Sequence, residues 1–218
     1  MKKIYDKNGF TMIELVMVIV VLGILAALAM PRMERDRKQE AADTILADIR
    51  YAQHMAINDY RENPMDPQWQ KTFWRVQIEG CADDGMFISV GADKDKDGSL
   101  DKNETLIDPA NGKLMFWDNT KDCQDGGDGS VSPNIFLYKK FGIDNVEGSG
   151  GCGDVQHIGF DHLGRPHVSF TSSTNPDYSS YMKNECRFSF HIKGIENPLV
   201  IAIEPETGYA YIVDQNAS

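Results

Sequence analysis

The sequence predicts an α+β protein in which a long hydrophobic N-terminal helix packs on an antiparallel β-sheet globular domain. Residues 10–30 form an apolar run with a single charged side chain, Glu14, and an amphipathic helical pattern follows this run. From Thr72 onward, short β-rich segments alternate with turns, which is typical of an antiparallel sheet. The 218 residues leave room for one globular domain of ordinary size behind the helix.

The apolar run is long enough to cross a membrane. A helix rises about 1.5 Å per residue, so the run matches a hydrocarbon core of roughly 30 Å. A charge in such a segment costs free energy and is usually retained for a function with a partner, so Glu14 indicates that a cation meets it. A secretory signal peptide cleaved after Ala27-Leu28-Ala29 and a plain membrane anchor are alternatives. Neither explains the carboxylate, and the run is long for a signal peptide.

Residues 9–15, with the sequence GFTMIEL, resemble the processing site of type IV prepilins and type II secretion pseudopilins. The resemblance implies that a membrane prepilin peptidase cuts between Gly9 and Phe10 and that Phe10 becomes N-methylated. It also implies that the Glu14 carboxylate meets the N-terminal ammonium of a neighbouring subunit during assembly. Two charges roughly 4 Å apart attract each other by about 4 kcal/mol at an effective dielectric constant near 20.

The helix is expected to continue past Pro31, which should kink it rather than end it. Apolar residues recur at spacings of three and four between Ala42 and Ala56, and this stripe should dock the helix onto the domain. Pro64 and Pro67 mark the exit from the helix. The predicted organisation is a leader peptide (1–9), a transmembrane and assembly helix (10–30), an amphipathic continuation of the stem (31–62) and a periplasmic β-rich domain (63–218).

Strands are predicted where β-branched and aromatic residues cluster between turns. Trp74, Val76 and Ile78 alternate with polar residues in the first strand, and the turn Gly164-Arg165-Pro166 is expected to join two others. The remaining predicted strands cover residues 87–90, 135–138 and 188–191 and a C-terminal hairpin of residues 199–203 and 209–213.

Motifs later in the sequence indicate one subgroup of the pseudopilins. The helix stripe, the segment GFDHLGRP at 159–166 and the ETGY of the terminal strand pair at 206–209 are similar to the H-type minor pseudopilins, the GspH/FimT group. The resemblance implies a structural, non-enzymatic subunit of a type II secretion pseudopilus. It places the chain in the bacterial inner membrane as a single-pass protein with its C-terminal domain in the periplasm. The implied partners are other pseudopilins or pilins, the prepilin peptidase and the inner-membrane assembly platform.

Residues 93–104 fit the twelve-residue calcium-loop pattern D-x-D-x-D-G-x5-E. No helix pair flanks the loop, so we predict a structural Ca²⁺ clip between strands, with a solvated acidic loop as the alternative. A second acidic, glycine-rich stretch at 122–129 is a weaker candidate. The predicted ligands are carboxylate oxygens and one backbone carbonyl, from Asp93, Asp95, Asp97, Ser99, Asp101 and Glu104.

All four cysteines follow the apolar segment, and no two form a C-x-x-C pair, which disfavours a zinc ribbon or a thioredoxin-like site. Disulfides persist in oxidising compartments such as the periplasm. The favoured pairing joins neighbours in the sequence, because each loop is then of modest length; four buried thiols are the alternative. The favoured disulfides are Cys81 with Cys123 and Cys152 with Cys186.

The net charge of the chain and the spacing of its histidines argue against other classes of function. The formal net charge is −11, and it becomes −13 when residues 1–9, with three lysines and one aspartate, are removed; this disfavours nucleic acid as a partner. His157, His162 and His167 recur every five residues, which suits neither one helix face nor one strand face. We therefore predict no enzyme and no catalytic residues. Two alternatives stay open: a type IV pilus minor pilin, active in pilus assembly or DNA uptake, and a membrane-anchored calcium-binding module.

Overall fold

The structure is a computed structural model that describes residues 11–83, 85–123, 129–152 and 156–213, with only the backbone of residues 28–32. The predicted leader, Gly9 and Phe10 lie outside the described residues. The chain divides into two units, residues 1–37 and 38–218. A helix is followed by antiparallel sheets, so the predicted α+β class is confirmed.

Helix α1 extends from Met12 to Asn58, and its backbone remains helical at Pro31. In the second unit, the predicted apolar stripe is confirmed: its members are buried, apart from the partly buried Met55. The helix ends short of the predicted stem boundary at residue 62. At this end, the Asn58 side-chain amide donates a hydrogen bond to the His54 carbonyl at 2.7 Å, one turn back along the helix. The buried stripe consists of Ala42, Ile45, Ile49, Ala52 and Ala56.

The first sheet has the strand order β2-β1-β4-β5. Its central strand β1 pairs antiparallel with both neighbours, so that Val76 lies opposite Val90 on one side and Ile158 on the other. The predicted turn at residues 164–166 does join two strands, β4 and β5. Gly164 has a φ of 78°, a left-handed conformation that glycine adopts at little cost. The strands are β1 (Trp74–Gly80), β2 (Met86–Gly91), β4 (His157–Phe160) and β5 (Pro166–His167).

The second sheet has the strand order β3-β6-β7-β8, and all its pairs are antiparallel. In the β6–β7 pair, Phe188 lies opposite Ile201 and Phe190 opposite Leu199, so large apolar side chains face each other across the strands. The predicted C-terminal hairpin is confirmed as β7 and β8. The strands are β3 (Ile143–Gly150), β6 (Cys186–Ile192), β7 (Leu199–Ile203) and β8 (Ala210–Ile212).

One hydrophobic core joins the α1 stripe to apolar residues of both sheets. Large side chains such as Phe87, Phe160 and Phe190 are almost completely buried in it. Burying a side chain of this size contributes about 1.5 to 3 kcal/mol. A smaller cluster of Trp69, Phe73 and Phe170 lies apart from the main core.

The predicted strand at 135–138 is wrong, because this segment forms a helical turn and the short helix α2, Leu137–Phe141. Pro133 occupies the start of a 3-10 turn whose preceding residue, Ser132, accepts a hydrogen bond from the Asn134 amide at 3.1 Å. Gly142 ends α2 in the left-handed conformation, with a φ of 73°. Leu137 and Phe141, four residues apart, lie on the same side of α2, and both are buried.

Strand β1 shows the predicted alternation of apolar and polar residues, but both of its faces are buried. Arg75 and Gln77 point away from the Val76 face, yet they are 0% and 5% exposed. Segments outside the sheet cover this second face. Gly98 accepts a hydrogen bond from Arg75, and Phe170 lies 2.5 Å from the position that a Cβ on Gly159 would take.

Candidate functional site

Helix α1 begins with a capping box formed by Thr11 and Glu14. The Glu14 backbone N–H donates to Thr11 Oγ1 at 3.3 Å, and the Thr11 backbone N–H donates to Glu14 Oε2 at 3.5 Å. These bonds satisfy two amide donors that a helix start leaves unpaired, and a negative charge is favourable there. The T-x-x-E spacing is typical of this box, but from the sequence we interpreted Glu14 only as an assembly residue. Glu14 therefore has a local structural role besides any role in assembly.

The helix segment that follows this cap presents apolar side chains to solvent. An exposed apolar surface of this extent marks an interaction site. In the described parts of the chain, no helix combines the length and the apolar character that crossing a membrane requires, so the transmembrane segment at 10–30 stays a prediction. The large exposed side chains are Met12, Ile13, Leu15, Val16, Met17, Val18, Ile19, Val20, Val21, Leu22, Ile24 and Leu25.

The predicted calcium loop follows β2, and three of its carboxylates converge. Oxygens of Asp93, Asp95 and Asp97 lie within 4.8 Å of one another. Asp93 is fixed in place, since its Oδ1 accepts from the Lys96 amide at 2.6 Å and its Oδ2 from the Gly98 amide at 2.9 Å. Gly98 has a φ of 106°, which non-glycine residues rarely adopt, so the sharp turn requires glycine there.

Glu104 closes the loop from its far end. Its Oε1 accepts from the amides of Lys94 at 2.5 Å and Asp95 at 3.2 Å, and its Oε2 accepts from the Asp101 amide at 3.0 Å. The side chain is 4% exposed and faces the backbone of the loop. Glu104 and Asp101 do not belong to the group of three carboxylates, and the Ser99 amide donates to Asp97 at 2.8 Å. The structure thus brings together three of the six predicted ligands.

The loop concentrates negative charge at short range. Burial raises the pKa of Asp93, although the Gly98 amide and the Arg75 guanidinium oppose this shift. Lost hydration raises the pKa of Asp101, and the carboxylates of Asp97 and Glu104 add to the shift. Several carboxylate oxygens in one small loop are the ligands that hard divalent cations prefer, and Ca²⁺ tolerates an irregular set best.

A second buried carboxylate, Asp161, lies in the turn between β4 and β5. Its Oδ1 accepts from the amides of Leu163 at 3.0 Å and Arg165 at 2.9 Å, and its Oδ2 accepts from Arg165 Nε at 2.7 Å. His167 Nε2 lies 3.4 Å from the same Oδ2. Burial alone would raise the pKa of Asp161, but the bonds from His167 and Arg165 outweigh burial and hold this pKa well below its ordinary value. The turn was predicted from the sequence, but its ion pairs were not.

The same turn brings a serine, a histidine and an aspartate together, since Ser180 Oγ lies 2.9 Å from His167 Nδ1. The geometry does not suit nucleophilic catalysis. The Ser180 hydroxyl donates to the Asp177 carbonyl at 2.7 Å and is buried, so its proton is not directed to the imidazole. The trio therefore acts as a structural link between two segments.

The histidines do not form a metal site in the described residues. His162 packs against the Tyr60 ring at 4.7 Å, whereas His157 begins β4. Burial, together with the charge of Arg75, lowers the pKa of His157 to about 4. Neither of the two clusters in the described residues with metal-like spacing contains a histidine.

The structure forms the two disulfides that the sequence analysis favoured, with Cα–Cα distances of 5.5 Å for Cys81–Cys123 and 4.8 Å for Cys152–Cys186. Asp83 lies beside the first disulfide in a cluster with metal-like spacing. Disulfide sulfurs lack the thiolate charge that metal binding requires. Asp83 instead accepts a hydrogen bond from the Cys123 amide at 2.8 Å. In the second acidic stretch, residues 124–128 lie outside the described residues.

Comparison with known proteins gives one match, at the N-terminus. Residues 5–30 match the family model of the prokaryotic N-terminal methylation motif. The matched segment contains Gly9, Phe10 and Glu14, but it does not reach the later motifs at 159–166 and 206–209. No curated protein and no solved structure matches the chain. The N-terminal segment therefore carries the methylation motif of prepilins, which supports a type IV pilin-like protein.

Proposed function

We propose that this chain is an H-type minor pseudopilin, a structural subunit that assembles through its N-terminal helix into the periplasmic pseudopilus of a type II secretion system and drives protein export. The observation that carries the proposal is the start of α1. A methylation motif, an acidic residue at the fifth position of the expected mature chain and an exposed apolar helix occur there together. An anchored calcium-binding module would not need the first two features.

The N-terminal helix has the properties that assembly requires. Packing its exposed apolar side chains against lipid or against other subunits contributes roughly 25 cal/mol per Å² of apolar surface removed from water. Cleavage after Gly9 would create an ammonium group on Phe10, only one residue before the capping box. This ammonium on one subunit and Glu14 on its neighbour would then compensate each other in an apolar filament core, where unpaired charges are strongly disfavoured.

The β-rich unit suits a location in the periplasm, with the chain anchored in the bacterial inner membrane. Its two disulfides require an oxidising compartment. The mature net charge of −13 repels nucleic-acid phosphates, which favours secretion over a DNA-capturing pilin. The partners in this proposal are other pseudopilins, the prepilin peptidase and the inner-membrane assembly platform.

We also propose that the loop at 93–104 binds Ca²⁺ as a structural clip. Asp93, Asp95 and Asp97 would supply side-chain oxygens, and Glu104 would supply both carboxylate oxygens after releasing its amide bonds. The Ser99 carbonyl and Asp101, through water, would complete the set. When bound, the ion would neutralise the carboxylates and join the end of β2 to the segment at Thr105, which already pairs with Gly91.

The pilin assignment is tested first by mass spectrometry of the intact N-terminus, on protein extracted from membranes of a cell with prepilin peptidase. We expect the chain to begin with N-methylated Phe10, and to retain residues 1–9 in a peptidase-deficient control strain. A chain that begins at Met30 would identify a signal peptide instead. A full-length chain in both strains would identify a plain anchor.

The role of Glu14 is tested by two variants that separate capping from charge pairing. Glu14→Gln keeps an acceptor for the capping box, because Gln also serves at this position, whereas Glu14→Ala removes both functions. We expect both variants to lose co-isolation of partner pilins, and the matched control Glu34→Ala, an exposed acid farther along α1, to keep it. Normal co-isolation with Glu14→Gln would show that Glu14 is only a helix cap. The recovered partners also distinguish a secretion system from a pilus.

A further inference from the structure

A buried arginine lies directly behind the acidic loop. Arg75 is 0% exposed, and its Nη2 donates to the Gly98 carbonyl at 3.1 Å. Its Nη1 lies 3.8 Å from Asp93 Oδ2. Nε and Nη1 have no hydrogen-bond partner among the described residues. A guanidinium with unbonded N–H groups in a protein interior is costly, so the charge of Arg75 must be offset by its surroundings.

Carboxylates of the acidic loop supply negative charge close to Arg75. Burial lowers the pKa of Arg75, and the carboxylates of Asp93 and Glu104, both predicted calcium ligands, oppose this shift. Asp93 is itself buried, with its other contacts made to backbone amides. Arg75 therefore interacts with the same carboxylate that a metal at the first loop position would bind.

A second cation contacts the loop in a different way. Lys71 Nζ donates to the Lys96 carbonyl at 3.0 Å, two residues before the carbonyl that Arg75 holds. Both side chains thus hold carbonyl groups of the loop's tight turn, but only Arg75 also faces a carboxylate. Lys71 is a natural control, because it carries the same charge near the same turn without facing a ligand.

We propose that Arg75 is the built-in counter-cation of the acidic loop. It positions Asp93 and the Gly98 turn when no metal is bound, and it competes with Ca²⁺ for the Asp93 carboxylate, which weakens calcium binding. This inference rests on the proposed calcium site. Arg75 is a positioning residue, and its positive charge, rather than its shape, sets the affinity of the loop.

The test measures calcium dissociation constants of the full chain in detergent by isothermal titration calorimetry. We expect Arg75→Gln to bind Ca²⁺ at least about tenfold more tightly than the wild type, because a unit charge that repels the ion is removed. Arg75→Lys keeps the buried charge, and Lys71→Gln removes a charge that is partly exposed to solvent and faces no ligand carboxylate, so both variants should stay within about threefold of the wild type. Thermal melts add a second readout: the calcium-induced rise in melting temperature should be larger in Arg75→Gln than in the wild type.

The outcomes separate this inference from the calcium proposal. If the wild type binds Ca²⁺ and Arg75→Gln binds it equally or more weakly, the counter-cation role is wrong. If neither protein binds at about 10 mM calcium, well above the usual range of extracellular sites, the calcium proposal itself fails. If Arg75→Gln does not fold even at that concentration, the inference also fails, because the bound ion should replace the missing positive charge.

Discussion

Two carboxylate-centred turns of the β-rich unit differ in where their positive charge comes from. Asp161 receives a charge-assisted bond from Arg165 at 2.7 Å and lies 3.4 Å from His167, both within six residues of it in the sequence. The loop at 93–104 holds five carboxylates and three lysines, so its net charge is −2, and Arg75 lies 3.8 Å from Asp93. The first turn is therefore balanced by its own side chains, and the second has an excess of negative charge.

The direction of the pKa shifts follows this difference. Both turns lose hydration, which disfavours ionised carboxylates. Ion pairing overcomes this penalty at Asp161 and lowers its pKa, whereas the pKa values of Asp93 and Asp101 are raised. A self-balanced turn stabilises the fold without help from solution. A turn with excess charge gains further stability when a cation is supplied, so its stability depends on the solution conditions.

The strongest test of the self-balanced turn is Asp161→Asn. We expect this variant to lower the free energy of unfolding by about 1.5 to 3 kcal/mol, because the buried acceptor of the hydrogen bonds from Arg165 loses its negative charge. Urea denaturation at pH 7 measures this change. The exposed edge-strand variant Asp144→Asn is the control and should alter stability by less than about 0.5 kcal/mol.

The pH dependence of the Asp161 effect has a definite sign. A carboxyl whose pKa is lowered by folding stabilises the protein above its unfolded pKa, and this contribution is lost as the pH falls through the lower folded value. The difference between wild type and Asp161→Asn should therefore stay constant from about pH 5 to pH 8 and shrink only in strong acid. A difference that already disappears near pH 5 would mean that Asp161 is not stabilised as an anion.

The excess-charge loop is tested by adding and removing calcium. At a free concentration 100 times the dissociation constant, binding stabilises the folded chain by about 2.7 kcal/mol, which a thermal melt detects. Glu104→Gln should reduce this gain by removing the bidentate ligand, and Asp97→Asn should reduce it less, since Asn is allowed at that position. Magnesium should substitute poorly because it requires tight octahedral coordination. Coincident melts with several millimolar calcium and with chelator would show that the loop is only a solvated acidic turn.

Local patterns predicted the parts of the fold whose partners are near in sequence or whose period is strong. The buried stripe from Ala42 to Ala56 and strands β2, β6 and β7 were predicted because burial on one side or both leaves a readable apolar pattern. Strand β3 was missed. Its residues, IDNVEGSG, form an edge strand that is mostly exposed, so no apolar period marks it. The segment 135–138 was misassigned because a short apolar run suits strand and helix equally, and Pro133 and Gly142 decided the outcome.

The site was predictable only to the extent that it is local. The spacing of Asp93, Asp95 and Asp97 indicated a cluster, and the structure brings these three together. Arg75 could not be predicted as part of this site, because a polar residue in an alternating strand is expected to face solvent. Its burial results from a loop that folds back over β1, a contact across more than 20 residues of sequence. The pairing of His167 with Ser180 is similarly non-local.

Asp48 on α1 resembles neither the self-balanced turn nor the turn with excess charge. Burial raises the pKa of Asp48 to about 8, nearby Asp108 adds to this shift, and Lys140 opposes it. Its Oδ2 is buried without a hydrogen-bond partner in the described parts of the chain. Asp48, Asp108 and Lys140 line one cleft, but Lys140 is engaged by Asn134 at 2.8 Å and by Glu40 at 3.4 Å. Folding thus keeps the Asp48 carboxyl group protonated.

The last effect, and near pH 5 the smallest, is expected from Asp48→Asn. Between about pH 4 and pH 8 the folded chain holds a proton on Asp48 that the unfolded chain releases, so stability falls as the pH rises through this window. The amide variant lacks this loss, so it should be more stable than the wild type by about 1 to 2 kcal/mol at pH 5 and equal to it near pH 3. Urea denaturation at the two pH values measures the difference, with Asp43→Asn, an exposed acid in the same cleft, as the control. A gain that is the same at both pH values would mean that the amide improves packing and that Asp48 is ionised in the folded chain.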